Sequence, residues 1–275
     1  ILNGSITPTI LKLAWPIMIG NTMQVIYNLV DTFWVGKLGA EAVAAISVGF
    51  PLIFLLISIA GGMTVAGITL VAQYTGAGDE YNTNKVSGQL LIFITFLSII
   101  FSVIGIVFDT DILNLMGAPS AIIGEATAYL DVIFIGLPFM FLFFIFSALL
   151  RGYGDSKTPM KMVLISTIFN IILDPLLIFG WGIFPKLGVT GAAWATVLSR
   201  AIVGIIGVYI LFTGNRGISI SKESIKPDFS IIKKIITIGL PSAGEQSLMA
   251  IGMTVLMGII SNYGTYAVAA YGIGT

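Results

Sequence analysis

The chain has 275 residues, of which 57% are apolar and only 9% are charged, and its mean hydropathy is +1.03. A typical soluble domain is about a quarter charged, so this composition excludes a water-soluble fold and indicates an integral membrane protein. The sequence contains no Cys and no His, which excludes disulfides, thiolate nucleophiles, imidazole bases and Cys or His metal sites. Its 13 basic and 13 acidic residues balance, which gives no indication of nucleic-acid binding.

Charge-free stretches of the chain predict its membrane-spanning helices, each of which needs about 20 mostly apolar residues. They predict seven spans and the beginning of an eighth. We interpret the long second stretch as one helix whose far end, near Gln73, leaves the membrane. Single charges, at Asp174, Arg200 and Glu245, interrupt the last three stretches. In chain order the stretches are 13–30, 42–78, 86–108, 132–150, 162–185, 187–215 and 235–275.

The basic residues predict the orientation of the chain, because Lys and Arg concentrate in cytoplasmic loops. If the N-terminus is cytoplasmic, ten Lys and Arg residues fall on the inner side, Lys37 and Lys186 fall on outer loops, and Arg200 lies within a span. We therefore expect a multi-pass protein with a cytoplasmic N-terminus. The longest polar stretch, 214–230, is the best candidate for a linker.

An internal repeat aligns the first span with the seventh at an offset of 225 residues. Pro16 aligns with Pro241, and the sequence Ala-Val-Ala-Ala at 42–45 recurs at 267–270. Six spans separate the copies, an even number, so the copies share one orientation, as in secondary transporters built from parallel repeats. We predict a six-helix N-terminal lobe (1–213), a cytoplasmic inter-lobe linker (214–230) and the first helix and start of the next helix of a second lobe (231–275). Twice the offset leads us to expect about 450 residues in the full protein.

Polar side chains recur on one face of the first, fifth and sixth predicted spans. A charge in the bilayer centre costs about 2.5–3.5 kcal/mol, so such residues usually mark a transport pathway. The rise of a helix places Asp31, Asp174 and Thr196 in the outer half of the membrane. Two neighbouring carboxylates cannot both stay ionised cheaply, and their oxygen atoms suit Na⁺ or a shared proton. The faces consist of Asn21, Gln24, Asn28 and Asp31, of Ser166, Asn170 and Asp174, and of Thr196 and Arg200.

Structural interpretations of the same residues remain open. Asp31 or Asp174 could form an intramembrane salt bridge with Arg200, and the amide stripe of the first span could hold helices together. Glu245 could cap a kinked helix or line a cavity. The Phe-rich run 139–146 is more typical of lipid-facing or core packing than of a drug-binding cage.

Four segments together resemble the multidrug and toxic compound extrusion (MATE) transporters, and most closely the prokaryotic branch related to the DNA-damage-inducible F proteins. The resemblance extends over the whole chain, with the four segments in the family's order. It implies an all-α integral membrane fold of twelve helices in two six-helix lobes. The chain would hold the first lobe and the start of the second. The segments are 27–31 with Trp34 and Gly39, 151–157, 170–175 and 191–196.

The resemblance also implies a function. It implies secondary active efflux, without enzymatic activity or a cofactor, in which Na⁺ or H⁺ is exchanged for amphipathic, often cationic, organic compounds. We expect a monomer in the lipid bilayer of the prokaryotic cell (inner) membrane. The family pattern assigns ion or proton coupling, with a possible Na⁺ site, to Asp31, Asn170, Asp174 and Thr196. It assigns the bending of the first helix to Pro16.

The amide stripe and its flanking tyrosine are the predicted substrate-cavity residues, namely Gln24, Tyr27 and Asn28. A different branch of the family places an acid deeper in helix seven. Glu245 lies only four residues past Pro241, so we do not assign it that role.

Two other functions fit parts of the pattern. A lipid-linked oligosaccharide flippase shares the architecture but should carry more cationic residues in its cavity. An intramembrane aspartyl protease would use the Gly-x-Gly-Asp pattern at 152–155, which is also typical of a tight turn before a helix.

Overall fold

The computed structural model describes residues 6–274, and these residues form eight α-helices with no β-strand. The all-α prediction is therefore confirmed for the described part of the chain. Each predicted span corresponds to one helix, and the last stretch divides into two. The helices are α1 (Ile6–Gly36), α2 (Ala40–Gly76), α3 (Glu80–Leu115), α4 (Ile123–Tyr153), α5 (Lys157–Phe179), α6 (Val189–Thr213), α7 (Phe229–Ser261) and α8 (Thr265–Gly274).

Six of the helices, α2 to α7, are long and apolar enough to cross a membrane. Helix α1 has 31 residues, which is also long enough, but its polar stripe lowers its mean hydropathy. Helix α2 is a single helix of 37 residues, as the sequence predicts. Helix α5 ends at Phe179, earlier than its charge-free stretch suggests. Gly180 there adopts a φ of 72°, a left-handed conformation that ends the helix.

Helix α4 lies at the centre of the lobe and packs against α2, α3 and α6. Its Phe-rich run serves mainly as core, because Phe141, Phe143 and Phe146 are buried. Helix α6 can approach this surface closely because it presents glycine there. A Cβ atom added to Gly207 would lie 2.5 Å from Cγ of Phe146. The interpretation of this run as packing, rather than as a drug-binding cage, agrees with these contacts.

Helices α1, α5 and α6 bring the predicted coupling residues together. Helix α1 packs mainly against α5, α5 packs against α6, and α6 packs against α4. On the other side of the lobe, α2 packs against α7 and α8. The backbones of α2 and α7 approach closely where Gly62 faces Ala243, and a Cβ atom at Gly62 would overlap the Ala243 backbone.

Residues 214–228 connect α6 to α7 and are held against the beginning of α3. The Gln89 amide donates to the carbonyls of Ser224 (2.8 Å) and Lys226 (2.7 Å) and accepts from the Asp228 N–H (2.7 Å). Lys85 forms an ion pair with Asp228 at 2.5 Å. The hydrogen bond from Lys85 lowers the pKa of the Asp228 carboxyl from its ordinary value. The connection is thus attached to the first six helices, while its role as an inter-lobe linker stays a prediction.

Candidate ion-coupling site

Two acids on different helices lie within electrostatic range of each other inside the lobe. Asp174 lies on α5 and is fully buried, and its Oδ1 accepts a hydrogen bond of 3.0 Å from Nδ2 of Asn170, one helical turn earlier. Asp31 lies on α1, the main packing partner of α5, and is close enough to interact electrostatically with Asp174. The structure therefore brings together the three residues whose carboxyl and amide groups the sequence places in one site.

Several oxygen atoms of this site are buried and unpaired. They have no hydrogen-bond partner among the described residues, although native proteins pair nearly all buried polar atoms. Unpaired carboxylate oxygens in a low-dielectric interior are costly, and a proton or a cation would satisfy them. No group of three or more Asp, Glu, His or Cys side chains assembles in residues 6–274. The unpaired atoms are Oδ1 of Asp31, Oδ2 of Asp174, Oδ1 of Asn170 and Oγ of Ser166.

Thr196 joins the site from α6 through a buried tyrosine. Tyr27 is only 5% exposed, and its hydroxyl lies 3.4 Å from Oγ of Ser199, whose hydroxyl donates to the Thr196 carbonyl at 2.9 Å. Tyr27 also interacts electrostatically with Asp31. The predicted coupling residues on α1, α5 and α6 therefore surround one interior region.

Tyr129 on α4 is a residue of this region that the sequence analysis did not identify. It is buried, and it interacts electrostatically with Asp31, Tyr27 and Asp174. No polar face marks α4, so periodicity does not point to this residue. Tyr129 also lies before the charge-free stretch 132–150, between Glu125 and Asp131, so no sequence signal identifies it.

Arg200 does not pair with either acid of the site. Its Nη2 donates to Oε1 of Gln24 at 2.5 Å, and its guanidinium lies 4.7 Å from the centre of the Tyr27 ring and 5.3 Å from that of Phe143. The one ion pair within residues 6–274 joins Lys85 to Asp228. An intramembrane salt bridge of Arg200 with Asp31 or Asp174 is therefore not what the structure contains.

The predicted substrate-cavity residues divide between two environments. Gln24 is half-buried and Asn28 is exposed, and Nε2 of Gln24 donates to Oδ1 of Asn28 at 3.1 Å. Tyr27 points into the lobe instead. Pro16 is buried within α1, and the helix continues on both sides of it.

Aromatic side chains cover the end of the site beyond Asp31. Trp34 follows Asp31 by one turn of α1, and its ring lies 5.9 Å from the rings of both Phe179 and Trp181. Lys37 lies 4.4 Å above the Trp34 ring. Amphipathic rings with a cation beside them are typical of a membrane–water interface, which agrees with the predicted position of the acids in the nearby half of the bilayer.

The family model MatE matches residues 16–176, more than half of the chain. The chain belongs to the MatE family. The matched region includes the acids of α1 and α5 and the whole of α2, α3 and α4. MatE proteins are transporters and not enzymes, and six spanning helices make this chain a multi-pass membrane protein.

Relatives and solved structures of the MatE family extend this finding. "Probable multidrug resistance protein YoeA" of Bacillus subtilis is 37% identical over 94% of this chain and 57% of its own length. "Multidrug export protein MepA" of Staphylococcus saprophyticus is 31% identical over 94% of this chain and 56% of its own. A solved structure of the "MATE multidrug transporter DinF-BH" superimposes with a TM-score of 0.92 at 29% identity, over 98% of this chain and 60% of that one. The chain therefore spans a little over half the length of the relatives it matches.

The Gly-x-Gly-Asp turn at 152–155 has a structural role that the geometry explains. Oδ1 of Asp155 accepts hydrogen bonds of 3.0 Å from the N–H groups of Lys157 and Thr158, the first residues of α5. The carboxylate thus satisfies free amides at the start of a helix. Membership of a transporter family and this capping role leave no support for the aspartyl protease alternative.

Proposed function

We propose that this chain belongs to a secondary active multidrug efflux transporter that exchanges Na⁺ or H⁺ for amphipathic, often cationic, organic compounds by alternating access. One observation carries the proposal. Two acids on different helices, Asp31 and Asp174, lie together inside the lobe, and each keeps a buried oxygen atom without a hydrogen-bond partner among the described residues. The names of multidrug exporters among the relatives support the direction and class of transport.

The coupling ion is held by oxygen atoms of two helices. A proton would bind between Asp31 and Asp174, because two close carboxylates in a medium of low dielectric constant favour sharing one. Na⁺ would take the same carboxylates together with the Asn170 carbonyl. Thr196 and Tyr27 line the adjacent wall. Either ion cancels charge in the same place, so both choices lead to the same mechanical consequence.

Neutralisation of the acids acts on α1. Asp31 lies on α1 and Asp174 on α5, so repulsion between two ionised acids would push these packed helices apart, and a bound cation would remove that repulsion. Pro16 lacks an N–H and so weakens the helix that must respond. We propose that α1 bends there, which transmits the state of the ion site to the cargo-binding surface.

The side-chain amides of α1 form the first contact surface for cargo. Gln24 and Asn28 lie on the same helix as Asp31, so bending of α1 would move both groups together. Arg200 is buried against the Tyr27 ring and donates to Gln24, so its charge is not exposed beside these amides. This arrangement suits cationic cargo better than the anionic lipid carrier of an oligosaccharide flippase.

Transport by purified protein in proteoliposomes tests the proposal. Accumulation of a cationic rhodamine dye is measured under an imposed Na⁺ gradient, under an imposed proton gradient, and with neither. The proposal predicts accumulation under at least one ion gradient and none without a gradient. Accumulation that requires ATP, or that proceeds equally with no gradient, would contradict it.

A further inference from the structure

A separate cavity of about 230 Å³ lies among α1, α2, α4 and α5. It does not include the acids of the ion site. Val163 on its wall precedes Asp174 by eleven residues of α5, or about 16 Å along the helix axis. Arg151, in the last turn of α4, lies on the wall near the end of the lobe that carries the 214–228 connection. The polar lining groups are Asn21, Gln24, Thr64, Ser147 and Arg151.

One cationic group, Arg151, lines this cavity, and none of the described lining residues is an acid. The Arg151 guanidinium makes no ion pair or hydrogen bond with any described residue, and its Nε is buried and unpaired. The nearby Asp155 is occupied in capping α5. A partly buried cation without a counter-charge is costly, and a bound anion would supply that charge.

Ser147 adds a directed hydrogen-bond donor. It is 6% exposed, it lines the cavity, and its hydroxyl has no partner among the described residues. Several other buried helical serines bond back to a carbonyl one turn earlier, as Ser47 and Ser58 do at 2.7 Å. Ser147 precedes Arg151 by four residues, so both side chains lie on one face of α4.

We infer that this cavity binds an anionic oxygen group, a carboxylate or a phosphate, between the Arg151 guanidinium and the Ser147 hydroxyl. A guanidinium offers paired N–H donors that match both groups, and the hydroxyl supplies a third. Ligand pockets usually measure about 300 Å³ or more, so this one takes the charged end of a larger molecule rather than the whole of it. That molecule is either an anionic lipid or a soluble amphipathic anion.

Binding is measured without any ion gradient, so its outcome is independent of transport. Purified protein in phosphatidylcholine nanodiscs is titrated calorimetrically with hexyl phosphate and with hexanoate, and with hexyltrimethylammonium as the cationic counterpart. Native mass spectrometry then asks whether a phosphatidylglycerol molecule stays bound when that lipid is included. Arg151→Gln and Ser147→Ala remove the two proposed contacts. Arg216→Gln, at an exposed position of the 214–228 connection, is the matched control.

We expect both hexyl anions to bind and the cation not to bind. Arg151→Gln should weaken binding about tenfold or more, the effect of losing a charge-assisted hydrogen bond, while Ser147→Ala weakens it about threefold to tenfold. Arg216→Gln and Asp31→Asn should bind as the wild type does. If phosphatidylglycerol stays bound and prevents hexyl phosphate from binding, the lipid is the occupant. If both hexyl anions bind equally well in the presence of phosphatidylglycerol, the occupant is a soluble anion. Absence of anion binding, or binding unchanged by both Arg151→Gln and Ser147→Ala, would overturn the inference.

Discussion

Replacement of either buried acid by its amide should uncouple transport from the ion gradient. Asp31→Asn and Asp174→Asn preserve the size of the side chain but remove its charge, so neither variant can bind and release the coupling ion as the wild type does. The Asn170 amide donates to Asp174 at 3.0 Å, and an asparagine oxygen at position 174 can still accept that bond. The variants should therefore fold and insert, and lose coupling selectively.

The magnitude follows from the charges of the site. A carboxylate about 4 Å from a monovalent ion contributes about 4 kcal/mol at an effective dielectric constant of about 20. Loss of one of the two carboxylates should thus weaken ion binding by about a thousandfold. A tenfold ion gradient is worth about 1.4 kcal/mol, which sustains an about tenfold cargo gradient in one-for-one exchange. In the variants this ratio should fall to about one.

Dye accumulation in proteoliposomes under a tenfold gradient of the coupling ion measures this ratio. Asp111→Asn removes an exposed acid from α3 and is the matched control, which should accumulate dye as the wild type does. Size-exclusion profiles show whether each variant is folded. If both Asp31→Asn and Asp174→Asn still reach a tenfold ratio, the acids do not couple transport and the reasoning is refuted.

Three further predictions concern the stability of the lobe. Gln89→Leu removes three hydrogen bonds between α3 and the 214–228 connection and should lower the free energy of unfolding by about 2–4 kcal/mol in chemical denaturation, whereas Gln73→Leu, at an exposed position, should change it little. Gly207→Ala places a Cβ atom against Phe146 and should cost about 1–3 kcal/mol, while Gly124→Ala, with open space around it, should not; equal stabilities would contradict the close packing of α4 and α6. The hydrogen bond from Lys85 lowers the pKa of the Asp228 carboxyl. This contact therefore stabilises the fold at pH values above the ordinary Asp pKa of about 4, and its contribution is lost as the pH falls through the lowered pKa. Melting temperatures measured across acidic pH should show that loss in the wild type and not in Asp228→Asn.

The helices were largely predictable because the bilayer requires long apolar segments without charges. A charge-free stretch of about 20 apolar residues is stable in the bilayer as a spanning helix, so each predicted stretch corresponds to helical structure. The end of α5 was the visible exception, since Gly180 ends the helix through its left-handed conformation and not through a charge. Within one helix, sequence spacing was also sufficient to predict which side chains lie together, because residues four apart share a face, as Asn170 and Asp174 do.

Relations between helices were less predictable, because spacing does not fix how a helix turns about its axis. Tyr27 and Asn28 are adjacent, yet packing of α1 against α5 and α6 buries the first and exposes the second. The partner of Arg200 is Gln24 for the same reason, although charge alone favours an acid as its partner. Tyr129 carried no periodic signal, and the contacts of Gln89 join residues 135 to 139 positions apart.

The central claim is that Asp31 and Asp174 form a site for a proton or Na⁺. Difference infrared spectroscopy of the purified protein measures this directly, because a protonated carboxyl gives a C=O band that an ionised carboxylate lacks. The account predicts a protonated-carboxyl band in the wild type that disappears either on addition of Na⁺ or on raising the pH, and that is lost or shifted in Asp31→Asn and Asp174→Asn but kept in Asp111→Asn. A wild-type protein that shows no such band and binds no Na⁺, or a band unchanged in both site variants, would contradict the account.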